Sequence, residues 1–207
     1  MIENVRPEDI ERRSFQIIGE ELAERGLVIP GEYEHIVKRC IHTSADFDYA
    51  ESLFFSDGVV DKVAAALRSG ATIVTDTKMA MSGINKKKLD ELGVKVCCYI
   101  GDEDVAKEAK ERGLTRSYVS MEKASRLEGE VIFAIGNAPT ALVSIVELKN
   151  QGKLNPSAVI GVPVGFVHVV ESKELLIDSG IPCIVNRGRK GGSNIAACII
   201  NAIQYTL

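Results

Sequence analysis

His42 is the residue of this chain whose neighbours could put an imidazole to chemical use. Arg39 precedes it, and Thr43, Ser44, Asp46 and Asp48 follow. A cation, an imidazole and hydroxyls at a helix end could bind an anionic substrate and deliver a proton near neutral pH. The plain alternative is a structural histidine, the commoner fate of a lone one. His35 lies seven residues earlier. On a continuous helix it would share the face of His42 at about 10 Å along the axis, too far to hold one metal ion jointly. His168, in Val167-His168-Val169-Val170, is predicted to have a core or packing role. No cluster of His, Cys and carboxylate shows metal-ligand spacing, so no protein-bound metal is expected.

A second group of candidates is rich in glycine, small polar side chains and cations. It comprises Thr75-Asp76-Thr77-Lys78-Met79-Ala80-Met81-Ser82-Gly83, Gly136-Asn137-Ala138-Pro139-Thr140, Gly161-Val162-Pro163-Val164-Gly165-Phe166, and the 187–194 loop. Glycine lets a backbone approach a ligand closely, and a helix beginning there favours anions. The 187–194 loop, Arg187-Gly188-Arg189-Lys190-Gly191-Gly192-Ser193-Asn194, suits carboxylate or phosphate; otherwise it is a solvated connection. It matches neither the P-loop nor the dinucleotide fingerprint. Lys78 and Arg116 fall near predicted strand ends. Lys86-Lys87-Lys88 reads as a solvated helix face.

The elements that must position these residues are legible from residue 70 onward. Short β-branched apolar runs at 71–75, 94–100, 130–135, 158–162 and 181–186 predict strands buried on both faces of a parallel sheet. Helical patterns lie between them, for example 102–112 closing at Gly113 and 139–151 closing at Gly152. Before residue 70 the pattern is helical: 7–25, ending at Gly26, then 30–41, then 58–67. The expectation is one α/β domain over 1–207, with a mainly parallel, doubly wound sheet, helices on both faces and a helical N-terminal section. In such a sheet ligands bind beyond the carboxyl ends of the strands, where the four loops fall.

The 207 residues are 45% hydrophobic and 26% charged, with no tryptophan and a net charge of −4. That balance argues against general nucleic-acid binding. No apolar run approaches the ~18 residues of a membrane helix, and the first residues lack a signal-peptide pattern. A cytoplasmic location is expected. Five cysteines without paired spacing are no disulfide framework; Cys183 and Cys198 read as small core residues.

The segment Lys38-Arg39-Cys40-Ile41-His42-Thr43-Ser44-Ala45-Asp46-Phe47-Asp48-Tyr49 resembles the histidine motif of the precorrin-8X methylmutase family, called cobalt-precorrin-8 methylmutase in the cobalt-early pathway. Glu11-Arg12-Arg13-Ser14-Phe15-Gln16-Ile17-Ile18 and the four loops, the first extended to Ile84, the second to Leu142 and the third to Val167, resemble further family blocks. Together they span nearly the whole chain.

The resemblance implies an isomerase of cobalamin biosynthesis that moves a methyl group from C-11 to C-12 of the ring, giving hydrogenobyrinate, or cobyrinate with cobalt present. It implies a homodimer with no separate cofactor, any cobalt being part of the corrinoid substrate. Residue by residue, the family histidine falls on His42, the substrate-contacting serine on Ser14 and the arginine on Arg39. Thr77, Lys78, Arg116, Asn137, Arg187, Gly191 and Ser193 are further substrate-binding candidates. Met79, Met81, Val164 and Phe166 are candidates to line the ring faces. Two rivals remain open at this point: a corrinoid carrier without turnover, and a nucleotide-dependent α/β enzyme.

Overall fold

The computed structural model of the chain describes residues 6–207. A 3-10 turn at Pro7–Asp9 leads into α1 (Ile10–Glu24), followed by α2 (Gly31–Ser44), α3 (Tyr49–Ser52), β1 (Leu53–Phe55) and α4 (Val59–Arg68). The alternating part comprises β2 (Thr72–Thr75), α5 (Lys78–Gly83), α6 (Lys86–Glu91), β3 (Lys95–Cys97), α7 (Glu103–Arg112), α8 (Arg116–Ala124) and β4 (Val131–Ile135). It continues with α9 (Pro139–Asn150), β5 (Ala158–Gly161), α10 (Val169–Asp178), β6 (Cys183–Asn186) and α11 (Ser193–Gln204).

The six strands form one sheet in the order β1-β6-β5-β4-β2-β3. The five expected strands pair in parallel, while β1 adds an antiparallel edge through Leu53 opposite Asn186. The chain leaves β2 outward to β3, then returns to the other side of β2 as β4. The switch point of this doubly wound sheet therefore lies between the ends of β2 and β4.

Strand alternation divides the core into two layers. Ile132, Ala134, Ile160 and Ile184 face a layer built by α1, α2, α4 and α11. Val131, Phe133, Ile135, Val159 and Val185 face the opposite layer, built by α8, α9 and α10. Both faces being covered explains why the central strands β4 and β5 are apolar and buried throughout. Gly26, Gly113 and Gly152 take the left-handed conformation expected at helix ends. Among the described residues no helix is long and apolar enough to cross a membrane.

Candidate active site

His42 lies in the last turn of α2, exposed, against α1. The apolar stripe of α1, Phe15, Ile18 and Leu22, recurs at three- and four-residue spacing and packs toward α2. That stripe brings Ser14 beside the imidazole, with Ser14 Oγ 2.9 Å from His42 Nδ1. Phe15 stacks on the same ring, centroids 5.4 Å apart and planes inclined by 25°. One turn back along α2, the Arg39 guanidinium lies 5.0 Å from the Phe15 ring centre and 5.1 Å from that of Tyr205. It also pairs with Glu11 at 2.6 Å. Ser14, Arg39 and His42 are thus one cluster, assembled by the contact between α1 and α2.

A hydroxyl on Nδ1 has a chemical consequence. Serine donates and accepts with equal facility. When the imidazole is cationic, Nδ1–H donates to Ser14 Oγ. After loss of the Nε2 proton, the Nδ1–H tautomer keeps that bond. Nε2 can release and recover a proton without the ring losing its anchor.

The end of α2 is tied to the 187–194 loop. Ala45 takes a left-handed conformation, φ 54°, and closes the helix onto Ile41. The chain then presents Asp46 and Asp48, whose carboxylates accept from Lys190 Nζ at 2.6 and 2.5 Å. Lys190 holds the Asp46 carboxyl below its usual range, and both carboxylates raise the lysine. Arg187 pairs with Glu174 at 2.6 Å and lies 5.2 Å from the Phe54 ring centre. Arg189 lies over Phe166 at 5.5 Å.

At the switch point the expectation that the Gly136 loop and the helix beginning there favour an external anion is corrected. Asp76, buried at the end of β2, accepts from the N–H groups of Gly136, Asn137 and Ala138 at 2.9, 2.8 and 2.7 Å. Burial raises its carboxyl, and the three amides pull it back. The protein's own carboxylate takes the place an external anion would occupy.

Beside it, Thr77 Oγ1 caps α5 by accepting from Ala80 N at 3.0 Å, and lies 2.7 Å from Ser193 Oγ. The β-carbon of any residue at Gly136 would fall 2.5 Å from Ser193 Cα; one at Gly191 would fall 2.1 Å from the Val162 carbonyl oxygen. Gly191 therefore serves a close backbone approach. Asn137 is exposed at the same edge. Lys78 extends toward Gly101, where an added β-carbon would sit 3.1 Å from its Nζ. Arg116 opens α8, in the layer opposite α2, and is exposed.

The expected core role of His168 is also corrected. Its ring is exposed, and its left-handed backbone, φ 55°, precedes α10. The apolar run ends there because Val169 alone of that stretch turns inward. Met79, Phe166 and Val167 are 71%, 82% and 73% exposed. Met81 instead lines a cleft of about 700 Å³ beside β3. The sequence reading missed Glu11 as the partner of Arg39, Phe15 as the platform under His42, Asp76, and the buried Lys173. For Lys173 a signal existed: Val169, Ser172, Lys173 and Leu176, the buried residues of α10, follow the helical period. Among the described residues no three His, Cys, Asp or Glu side chains come together as a metal site.

A doubly wound α/β enzyme with a hydroxyl-anchored histidine on a helix pair beside the sheet is the class these features define. The chain belongs to the precorrin-8X methylmutase family, whose profile matches residues 9–206. It is 43% identical over 200 residues to the cobalt-precorrin-8 methylmutase of Priestia megaterium, covering 97% of this chain and 88% of that one. It is 40% identical over 207 residues to the precorrin-8X methylmutase of Pseudomonas aeruginosa, covering 98% of each. The crystal structure of precorrin-8x methyl mutase from Thermus thermophilus superposes with a TM-score of 0.85 at 33% identity, covering 95% of this chain and 96% of the other. The family is one of isomerase-type enzymes of cobalamin biosynthesis.

Proposed function

We propose that this chain moves a methyl group from C-11 to C-12 of precorrin-8X or cobalt-precorrin-8, giving hydrogenobyrinate or cobyrinate, with His42 as proton donor and acceptor. The observation that carries the reading is the Ser14–His42 pair at 2.9 Å, with Arg39 packed beside it on Phe15. Cationic His42 donates from Nε2 to a ring nitrogen next to the migrating centre, drawing electron density through the conjugated ring. A 1,5-sigmatropic shift then breaks the C-11–methyl bond as the C-12–methyl bond forms, and the proton returns to Nε2. Ser14 holds Nδ1 throughout.

The substrate carries several acetate and propionate groups. Arg39 takes one of them, with Arg187 and Lys78 at the rim and Thr77, Asn137 and Ser193 as polar contacts. Arg116, exposed at the start of α8, is a further candidate contact for the carboxylates, and Gly191 keeps the 187–194 loop close to the Val162 carbonyl. Exposed Met79 and Phe166 offer apolar surface to the ring. Because the reaction is intramolecular, orientation is the main demand on the protein. The working form is a cytoplasmic homodimer without a separate cofactor, and any cobalt arrives with the ring.

The test is the visible spectrum of precorrin-8X, or its cobalt form, mixed with catalytic amounts of protein, because methyl migration changes the ring's conjugation. Complete conversion at substoichiometric protein supports the proposal. A spectral change that stops at one ligand per site would make the chain a corrinoid carrier.

A further inference from the structure

Lys173 is fully buried, at 0% exposure, on the inward stripe of α10. Its ammonium donates to the carbonyl of Gly188 at 2.9 Å and to that of Lys190 at 2.8 Å. Among the described residues it makes no salt bridge with a carboxylate, and burial lowers its pKa to about 8. A buried charge served only by carbonyls is an expensive way to fill a core position, since an apolar side chain of similar volume costs the fold less.

What the amine does is visible in the loop above it. Asn186 Nδ2 donates at 2.9 Å to the same Lys190 carbonyl, and Ser52 fixes Asn186 at 2.6 Å. Gly165 N–H donates to the Arg189 carbonyl at 3.2 Å, and Gly192 N–H to the Val162 carbonyl at 2.9 Å. The carbonyls of Gly188, Arg189 and Lys190 are thus all held by the protein. From the same loop, the Lys190 side chain reaches Asp46 and Asp48 just beyond the His42 helix. One buried amine accordingly supports a chain of contacts running from α10, through the loop backbone, to the end of α2.

We propose that Lys173 is a positioning residue for the methyl shift: by gripping the Gly188 and Lys190 carbonyls from beneath, it holds the cationic loop in the geometry that receives the ring's carboxylates. This rests on the reading that the 187–194 loop faces the corrinoid. The charge is not consumed in the reaction and touches no reacting atom. Its effect falls on binding and orientation.

The test uses the full chain with Lys173→Met, whose side chain fills the space without donating. Hydrogen exchange of the segment 186–194 is measured beside KM and kcat for precorrin-8X and affinity for hydrogenobyrinate. The expected result is faster exchange in that segment, KM and product Kd raised about tenfold, and kcat within about threefold of wild type, in a protein at least as stable as wild type. If the methionine variant fails to fold, Lys173→Leu takes its place with the same expectations. A folded variant with unchanged exchange and unchanged KM would overturn the proposal, as would a loss of kcat alone. If wild type itself neither binds nor converts the corrinoid, the methylmutase reading fails, while the exchange arm still decides whether Lys173 holds the loop.

Discussion

Replacing Gly136 by alanine tests how closely the end of β4 meets the start of α11. The added β-carbon would fall 2.5 Å from Ser193 Cα, 2.7 Å from Ser193 N and 2.7 Å from Gly192 O. The nearest contact is short of ordinary van der Waals separation, 3.4 Å, by 0.9 Å. All three atoms are backbone, so no side chain can rotate away. Gly136 does not adopt a positive φ, and the penalty is therefore steric. Overpacking of a core costs about 1–3 kcal/mol. Because α11 is buried along most of its length, the upper value, about 3 kcal/mol, applies. For a chain of this size that lowers Tm by roughly 6–12 °C. Parting β4 from α11 also separates Thr77 from Ser193, so KM should rise. Urea and thermal denaturation give the stability; steady-state kinetics give KM. Gly113→Ala is the control: its site is open but its φ is 65°, and it should cost about 1 kcal/mol through backbone strain alone. A Gly136→Ala protein within about 0.5 kcal/mol of wild type would refute the close approach.

Three other outcomes follow from the same geometry. Ser14→Ala removes one hydrogen bond to Nδ1, worth about 0.5–1.5 kcal/mol; kcat should fall roughly 2–12-fold with KM little changed, and an unaltered kcat would mean that the Nδ1 anchor plays no part in the shift. Glu11→Gln releases Arg39 from an exposed ion pair, typically worth about 0.2–1 kcal/mol. KM should then drop up to about fivefold at low ionic strength, whereas a raised KM would mean that Glu11 orients Arg39 for the substrate. Lys173 gives the pH prediction. Folded, it loses its proton near 8, and unfolded near 10.5. Between those values the unfolded chain binds the extra proton, so stability rises with pH by at most about 1.4 kcal/mol per unit. Measured against Lys173→Met, which cancels the other titrating groups, wild type should gain stability from pH 8 to 10; a pH-independent difference would contradict a buried ammonium.

The parallel strands were legible because a sheet covered on both faces must be apolar on both, and runs such as Val131-Ile132-Phe133-Ala134-Ile135 admit few other readings. The edge strand β1 was not: Leu53, Phe54 and Phe55 are three half-buried residues directly after a helical turn, too few for a period. His42, with Arg39 beside it in sequence, stood out by its neighbours, whereas Ser14 was named through family resemblance, and only folding shows α1 laying Ser14 against Nδ1. The anion-binding reading of the Gly136 loop went astray for a non-local reason. The carboxylate that satisfies those amides, Asp76, stands 60 residues earlier, and no local pattern announces such a pairing. His168 misled because an apolar neighbourhood in sequence became, in space, an exposed lip.

The central claim is that His42 moves a proton during the methyl shift. Its most direct test is the visible-spectrum assay with wild type and His42→Ala side by side, together with titration of each by hydrogenobyrinate. The account predicts full conversion by substoichiometric wild type, loss of turnover in His42→Ala, and product affinity within a few-fold in both. Turnover retained in folded His42→Ala would remove the imidazole from the chemistry and contradict the account.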